Sequence, residues 1–315
     1  MQMRELGRTG LQIAPLVFGG NVFGWTADEA RSFALLDRFF ERGFNAIDTA
    51  DVYSAWAPGL SGGESEAVIG SWLARRGRRD DVVLMTKVAM WEPRKGLSAA
   101  NIQAAAEDSL RRLRTDHIDV YFAHADDDSV PLDETLTALS KLVEAGKVRA
   151  IGASNYGAAR LREALAVSAR LGLPRYEVMQ PGYSLYDRAG YESELAGVAS
   201  EHGLGVLSYS SLASGFLTGK YRSIDDLRGT AREGFLKGHF DARGMRLLDA
   251  LRAVAADVST TPAQVALAWL MGRPRVTPIA SATSLEQLDE LMGASTLDLP
   301  ASALEALDRA SAQDA

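Results

Sequence analysis

The chain of 315 residues contains no cysteine, which excludes disulfides, thiolate nucleophiles, iron–sulfur clusters and cysteine-ligated zinc. No apolar run approaches the length of a membrane span. The amino terminus, MQMRELGRTGLQIAPL, lacks the basic stretch and apolar core of a secretory signal. A cytoplasmic protein without membrane attachment is therefore expected. Basic excess is missing as well: 34 lysines and arginines face 41 aspartates and glutamates, a net charge of −7. That balance argues against a broad nucleic-acid-binding surface. A dinucleotide glycine fingerprint is also lacking. The nearest pattern, Gly203-Leu-Gly205-Val-Leu-Ser208, puts serine where the third glycine or alanine belongs and enters an apolar run instead of leaving one.

With 47% hydrophobic and 24% charged residues, the chain has the composition of an ordered globular protein. Eight strand-like apolar runs recur along it: LVFGG, FNAIDTA, VVLMTKV, IDVYFAH, VRAIGASN, YEVMQ, LGVLSYS and VTPIASA. Amphipathic helix patterns separate them, several closed by glycine. This alternation predicts a (β/α)8 TIM barrel. The segment around Arg8-Thr9-Gly10 predicts a short N-terminal hairpin, and further helical patterns flank the last run as extra C-terminal helices. No linker, repeat or compositional shift divides the chain, so residues 1–315 are read as one domain. The longest irregular stretch, Lys220 to Phe240, has the length of a functional lid.

Polar chemistry collects where these runs end. Asp48 and Tyr53 lie at and just beyond the end of the second run, Lys87 at the end of the third and His124 at that of the fourth, the end at which a parallel barrel carries its active site. A free tyrosine, with a pKa near ~10, is a poor acid at neutral pH. A neighbouring ammonium is expected to lower that value, and a carboxylate to keep the ammonium charged and oriented. Lys87 and Asp48 suit those roles. His124 suits a hydrogen bond to a substrate oxygen.

The rim continues around the later runs. Ser154, Asn155 and Gln180 offer hydroxyl and amide groups matched to a carboxamide ligand, and Tyr209 offers a flat ring for stacking. Gly20 closes the first run and Asn21 follows it, and both are candidate cofactor contacts. Ser210, Leu212 and Ser214 lie in a Gly/Ser-rich loop suited to a pyrophosphate, and Lys220 follows it in GFLTGKY, which is one residue short of a P-loop. Ser281, Thr283 and Gln287 surround a helix start near Ser284, a position that favours anions. Trp25, Trp56 and Trp91, with Met90 and Phe122, are candidate walls of an apolar substrate pocket.

Taken together, FNAIDTADVYS, TKV, DVYFAH, IGASN, QPGYSLYDR, YSSLASGFLTGKY and ASATSLEQLDEL resemble, in order and over nearly the whole chain, the aldo-keto reductase superfamily. The resemblance implies that Tyr53 is the general acid, that Lys87 and Asp48 tune it, and that His124 orients a small carbonyl substrate while NAD(P)H supplies hydride. It also implies that Ser154, Asn155 and Gln180 grip the nicotinamide amide. NADP(H) is the expected cofactor, with NAD(H) the alternative. The chain departs from relatives that place Lys or Arg near Ser281 and Thr283 and an Asn at Leu291, which leaves hydroxyls and helix amides for a 2′-phosphate unless Arg222, Arg228 or Arg232 supplies the charge. The same resemblance admits a second function, that of a cofactor-sensing regulatory or binding subunit.

Overall fold

A computed structural model describes residues 1–229 and 233–312. Two short antiparallel strands, β1 (Arg4–Glu5) and β2 (Gln12–Ile13), form the expected hairpin. Eight parallel strands then close into a barrel: β3 (Val17–Gly19), β4 (Ala46–Asp48), β5 (Val83–Val88), β6 (Ile118–Ala123), β7 (Val148–Ser154), β8 (Tyr176–Gln180), β9 (Gly205–Ser208) and β10 (Val276–Ala280). Each coincides with one of the eight apolar runs. The chain is thus a (β/α)8 barrel with an N-terminal hairpin.

The helices are α1 (Glu29–Glu41), α2 (Glu64–Arg76), α3 (Ala99–Leu113), α4 (Leu132–Glu144), α5 (Ala158–Leu171), α6 (Ala189–Glu192), α7 (Leu195–His202), α8 (Glu233–Leu236), α9 (Ala242–Asp257), α10 (Pro262–Met271), α11 (Leu285–Gly293) and α12 (Ala301–Ser311). Their ends follow local chemistry. Asp28, Ser98, Asp241, Thr261 and Ser284 cap α1, α3, α9, α10 and α11 by accepting a first-turn amide. Left-handed Gly77, Gly172 and Gly203 stop α2, α5 and α7. None of the helices among the described residues is long and apolar enough to cross a membrane.

Strand alternation decides what faces the barrel interior. Val83, Met85, Val120, Phe122, Val178 and Leu207 form an inner core together with Leu6 and Ile13 of the hairpin. The hairpin is pressed against the amino-terminal ends of the strands. Gly7 has a φ of 61°, and a Cβ there would lie 2.3 Å from the Glu177 carbonyl oxygen, a contact that only glycine permits. Arg4 adds a bond to the Val276 carbonyl at 3.0 Å. The outer core fills the space between barrel and helices, with Trp72 and Trp269 fully buried.

Between Lys220 and Phe240 the expected irregular loop instead contains short helical turns at 224–227, 233–236 and 237–239. Asp226 starts the first of them by accepting the amides of Arg222 and Ser223. Such brief turns carry no apolar periodicity to read. Arg228 there is paired with Asp225, and Arg232 lies outside the described residues.

Candidate active site

The alternation that buries Val83 and Met85 turns Lys87 inward one step higher, at the carboxyl end of β5. By the same parity Asp48 follows Ala46, His124 follows Phe122, Gln180 follows Val178 and Tyr209 follows Leu207. These reactive groups therefore converge on the mouth above one apolar plug.

Lys87 is fully buried. Its Nζ donates to Asp48 Oδ2 at 2.7 Å, to the Thr49 carbonyl at 2.7 Å and to the Tyr53 hydroxyl at 2.9 Å, so all three ammonium hydrogens have acceptors. Tyr53 in turn donates to Asp48 Oδ2 at 3.2 Å. The Asp48–Lys87 pair, with side chains 2% and 0% exposed, offsets two desolvated charges that would each be costly alone. Burial, then the charge and hydrogen bond of Asp48, push the Tyr53 phenol well above its usual range. The net direction is upward although the Lys87 ammonium stands 2.9 Å from the hydroxyl. Burial pushes Lys87 down, and its counter-ion Asp48 lies beside the same hydroxyl. Tyr53 stands here as a protonated donor.

His124 keeps some exposure, but its Nδ1 is shut off from solvent without a hydrogen-bond partner. Burial, followed by the charge of Lys87, holds the imidazole well below its usual range and hence neutral. Its ring lies edge-on to Tyr53 at 6.1 Å, Tyr53 to Trp56 at 5.8 Å, and Trp56 to Trp25 at 5.8 Å. An aromatic wall thus starts at the phenol, with Trp56 49% exposed at its outer end.

The amide residues of the rim are tied to one another. Gln180 Nε2 donates to Asp48 Oδ1 at 2.8 Å, and Ser154 Oγ donates to the Gln180 carbonyl at 2.9 Å. Asn155, left-handed with φ 57°, donates to the His124 carbonyl at 2.8 Å and accepts from the Tyr209 hydroxyl at 2.8 Å. The Tyr209 ring lies over Gly182, where a Cβ would come within 3.2 Å of it. Asn155, Gln180 and Tyr209 share a hollow of about 240 Å³. In the following loop Ser210, Ala213 and Ser214 are left-handed, as is Gly215. Strain of this kind in non-glycine residues gathers at ligand-binding loops. The Ala213 and Gly215 amides, however, are already bonded to the Ser210 and Leu212 carbonyls.

Near β10, Ser281 Oγ donates to Asn21 Oδ1 at 2.5 Å, joining the loops after the first and last barrel strands. Gln287 accepts from the amide and hydroxyl of Thr283 at 3.0 and 3.1 Å, while its own amide donates to Ser284 Oγ. Gln287 is thus part of a helix cap. A profile of the Aldo/keto reductase family matches residues 15–312. The chain belongs to the aldo/keto reductase family. An uncharacterized oxidoreductase, YrpG, of Bacillus subtilis (strain 168) is 35% identical over 98% of this chain and 95% of its own. A probable voltage-gated potassium channel subunit beta of Oryza sativa subsp. japonica is 33% identical over 93% of this chain and 91% of its own. The aldo-keto reductase AMT2 of Alternaria alternata is 32% identical over 94% and 88%, respectively.

Two of the expected pocket walls stand elsewhere in this aldo/keto reductase. Phe122 is fully buried in the inner core, its ring filling the space left by Gly152, where a Cβ would come within 2.4 Å of it. It lies beside Lys87 in the strand register, one inward layer below His124. Trp91 donates to the Ser61 carbonyl and lies over the Arg112 guanidinium at 5.0 Å, so it braces a loop. Lys220 is exposed and sits over Tyr221.

A second polar group went unread in the sequence. Thr86, facing outward from β5, donates to Glu66 Oε1 at 2.6 Å, and Arg112 holds Glu66 Oε2 at 2.6 Å. Asp51 and Tyr121 are fully buried in the same electrostatic neighbourhood. An acidic residue three positions after Asp48 was the available signal.

Proposed function

We propose that this aldo/keto reductase is an NAD(P)H-dependent carbonyl reductase, reversible as an alcohol dehydrogenase, in which Tyr53 is the general acid. The observation that carries this reading is the Lys87 ammonium, bonded at once to Asp48, to the Thr49 carbonyl and to the Tyr53 hydroxyl. A part-buried phenol held between a lysine and a carboxylate suits the delivery of a proton to an oxygen at the barrel mouth.

A bound nicotinamide cofactor supplies the hydride. The residues present suit such a group: the neutral amides of Asn155 and Gln180 match a carboxamide, and the Tyr209 ring beside them offers a stacking face. Tyr53 and neutral His124 present donors to the carbonyl oxygen from two sides, which polarises it and fixes its orientation. As negative charge develops on that oxygen, Tyr53 passes its proton. Although burial raises the phenol, an alkoxide is a stronger base still, so the transfer runs downhill. The phenolate left behind is stabilised by the Lys87 ammonium at 2.9 Å. The aromatic edge of Trp25 and Trp56 suits a carbonyl compound with an apolar substituent.

Tyr53→Phe keeps the ring and removes the proton. Turnover of a test aldehyde is expected to fall by about 10²–10⁴-fold, with cofactor affinity, read by quenching of tryptophan fluorescence, nearly intact. Undiminished reduction by the variant would sink the assignment.

A further inference from the structure

Strand β5 separates two buried polar groups. On its inner face Lys87 joins Asp48 and Tyr53, and on its outer face Thr86 joins Glu66 and Arg112. Asp51 sits where the loop after β4 passes between them, its backbone amide donating to the Lys87 carbonyl at 3.4 Å. Its side chain is 0% exposed, and neither carboxyl oxygen has a hydrogen-bond partner. The nearby Val52 amide falls short of hydrogen-bond geometry. The hydroxyl of Tyr121, on β6, is likewise buried and unpartnered.

The charges around Asp51 come from every neighbouring element. Asp48 on β4 is matched by Lys87 on β5, and Glu66 on α2 by Arg112 on α3. Asp108, also on α3, is taken by Arg94 and Arg111. Tyr53 and Tyr121 are the remaining titratable neighbours. Each cation thus already has its anion. An ionised Asp51 would be a surplus buried charge, and such groups keep their proton instead.

We propose that Asp51 is a positioning residue that carries a proton at neutral pH and governs the Lys87–Tyr53 pair from behind strand β5. Neutral Asp51 leaves the Lys87 ammonium free to stabilise a Tyr53 phenolate. Ionised Asp51 adds a negative charge that opposes phenolate formation, so reduction slows. The switch is one proton lost from an Asp51 oxygen to water or hydroxide, with no other bond changed. Burial, then the charge of Glu66, pushes this carboxyl up to about 8 against the opposing pull of Arg112 and Lys87, which puts the switch at mildly alkaline pH. The effect on rate rests on the reading of Tyr53 as the acid, whereas the proton on Asp51 does not.

The test compares wild type with Asp51→Asn, which is permanently neutral and of the same shape. Infrared difference spectra at neutral pH should show a protonated carboxyl band in the wild type that is absent from the variant and lost on alkalinisation. Carbonyl reduction by the wild type should fall several-fold, in kcat/KM, from about pH 7 to about pH 9, and the variant should lack that fall. A group raised in the folded state lends stability that is lost as pH rises through its folded value. The wild type should therefore lose stability relative to the variant progressively from the ordinary carboxylate range up to about pH 8, and no further above it. An ionised Asp51 at neutral pH, with no band to lose, overturns the proposal even if the variant is poorly folded. A band together with identical pH–rate profiles overturns the coupling to Tyr53. Loss of activity in Tyr53→Phe is read separately and bears only on the acid assignment.

Discussion

Asp48 is held at both oxygens, by Lys87 on Oδ2 at 2.7 Å and by Gln180 on Oδ1 at 2.8 Å, although Gln180 lies 132 residues further along the chain. One carboxylate therefore joins β4, β5 and β8 across the barrel mouth. This makes Gln180 part of the framework that holds Asp48 and Lys87 as well as a candidate ligand contact.

Replacing Gln180 by Leu leaves a buried carboxylate oxygen without its donor. A hydrogen bond to a charged group contributes about 1.5–3 kcal/mol, and a loss of that size is expected in urea unfolding. Gln180→Glu, which sets a second carboxylate against Asp48, should be the less stable of the two. Equal stability of Gln180→Leu and wild type would mean that Lys87 alone suffices.

Phe122 and Trp56 should separate cleanly. Phe122→Ala opens a cavity in the inner core and is expected to cost about 3–5 kcal/mol of stability, read from the denaturant midpoint. Trp56→Ala removes a half-exposed ring from the aromatic wall, so its unfolding should stay within about 0.5 kcal/mol of wild type while KM for an aryl aldehyde rises. The reverse ranking would return Phe122 to the pocket.

Cofactor choice is a third measurement. Ser281, Thr283 and Gln287 are themselves neutral and bonded to one another or to Asn21, and the charged side chain beside them, Glu286, is an anion. A guanidinium on a phosphate gives a charge-assisted bond about twice as strong as a neutral one. Without one there, NADPH and NADH should bind with affinities within about tenfold of each other, as measured by separate fluorescence titrations. A preference of several hundredfold for NADPH would require a cation from the 220–240 segment to reach the phosphate.

The eight strands and the quartet of Asp48, Tyr53, Lys87 and His124 were legible because both follow from simple periodicities. An apolar run marks a strand, and a polar residue at its carboxyl end marks the mouth. Depth was not legible. Phe122 and His124 share one parity and the register sets Phe122 beside Lys87, so only its complete burial in the space left by Gly152 shows that Phe122 belongs to the plug. The commitments of Gln180 and Asn155 to Asp48 and His124 depend on barrel closure, which brings distant strand ends within hydrogen-bonding range. Asp51 escaped notice for a similar reason. Its isolation comes from α2 and α3, whose charged groups pair with each other instead of with it.

The hairpin built from Leu6 and Ile13 gives the barrel the form of a well with a floor. Whatever reaches Lys87 must leave by the opening through which it came, so reactants and products cannot move in single file from one end to the other. A second molecule bound above the first would hold it in place until it had itself left.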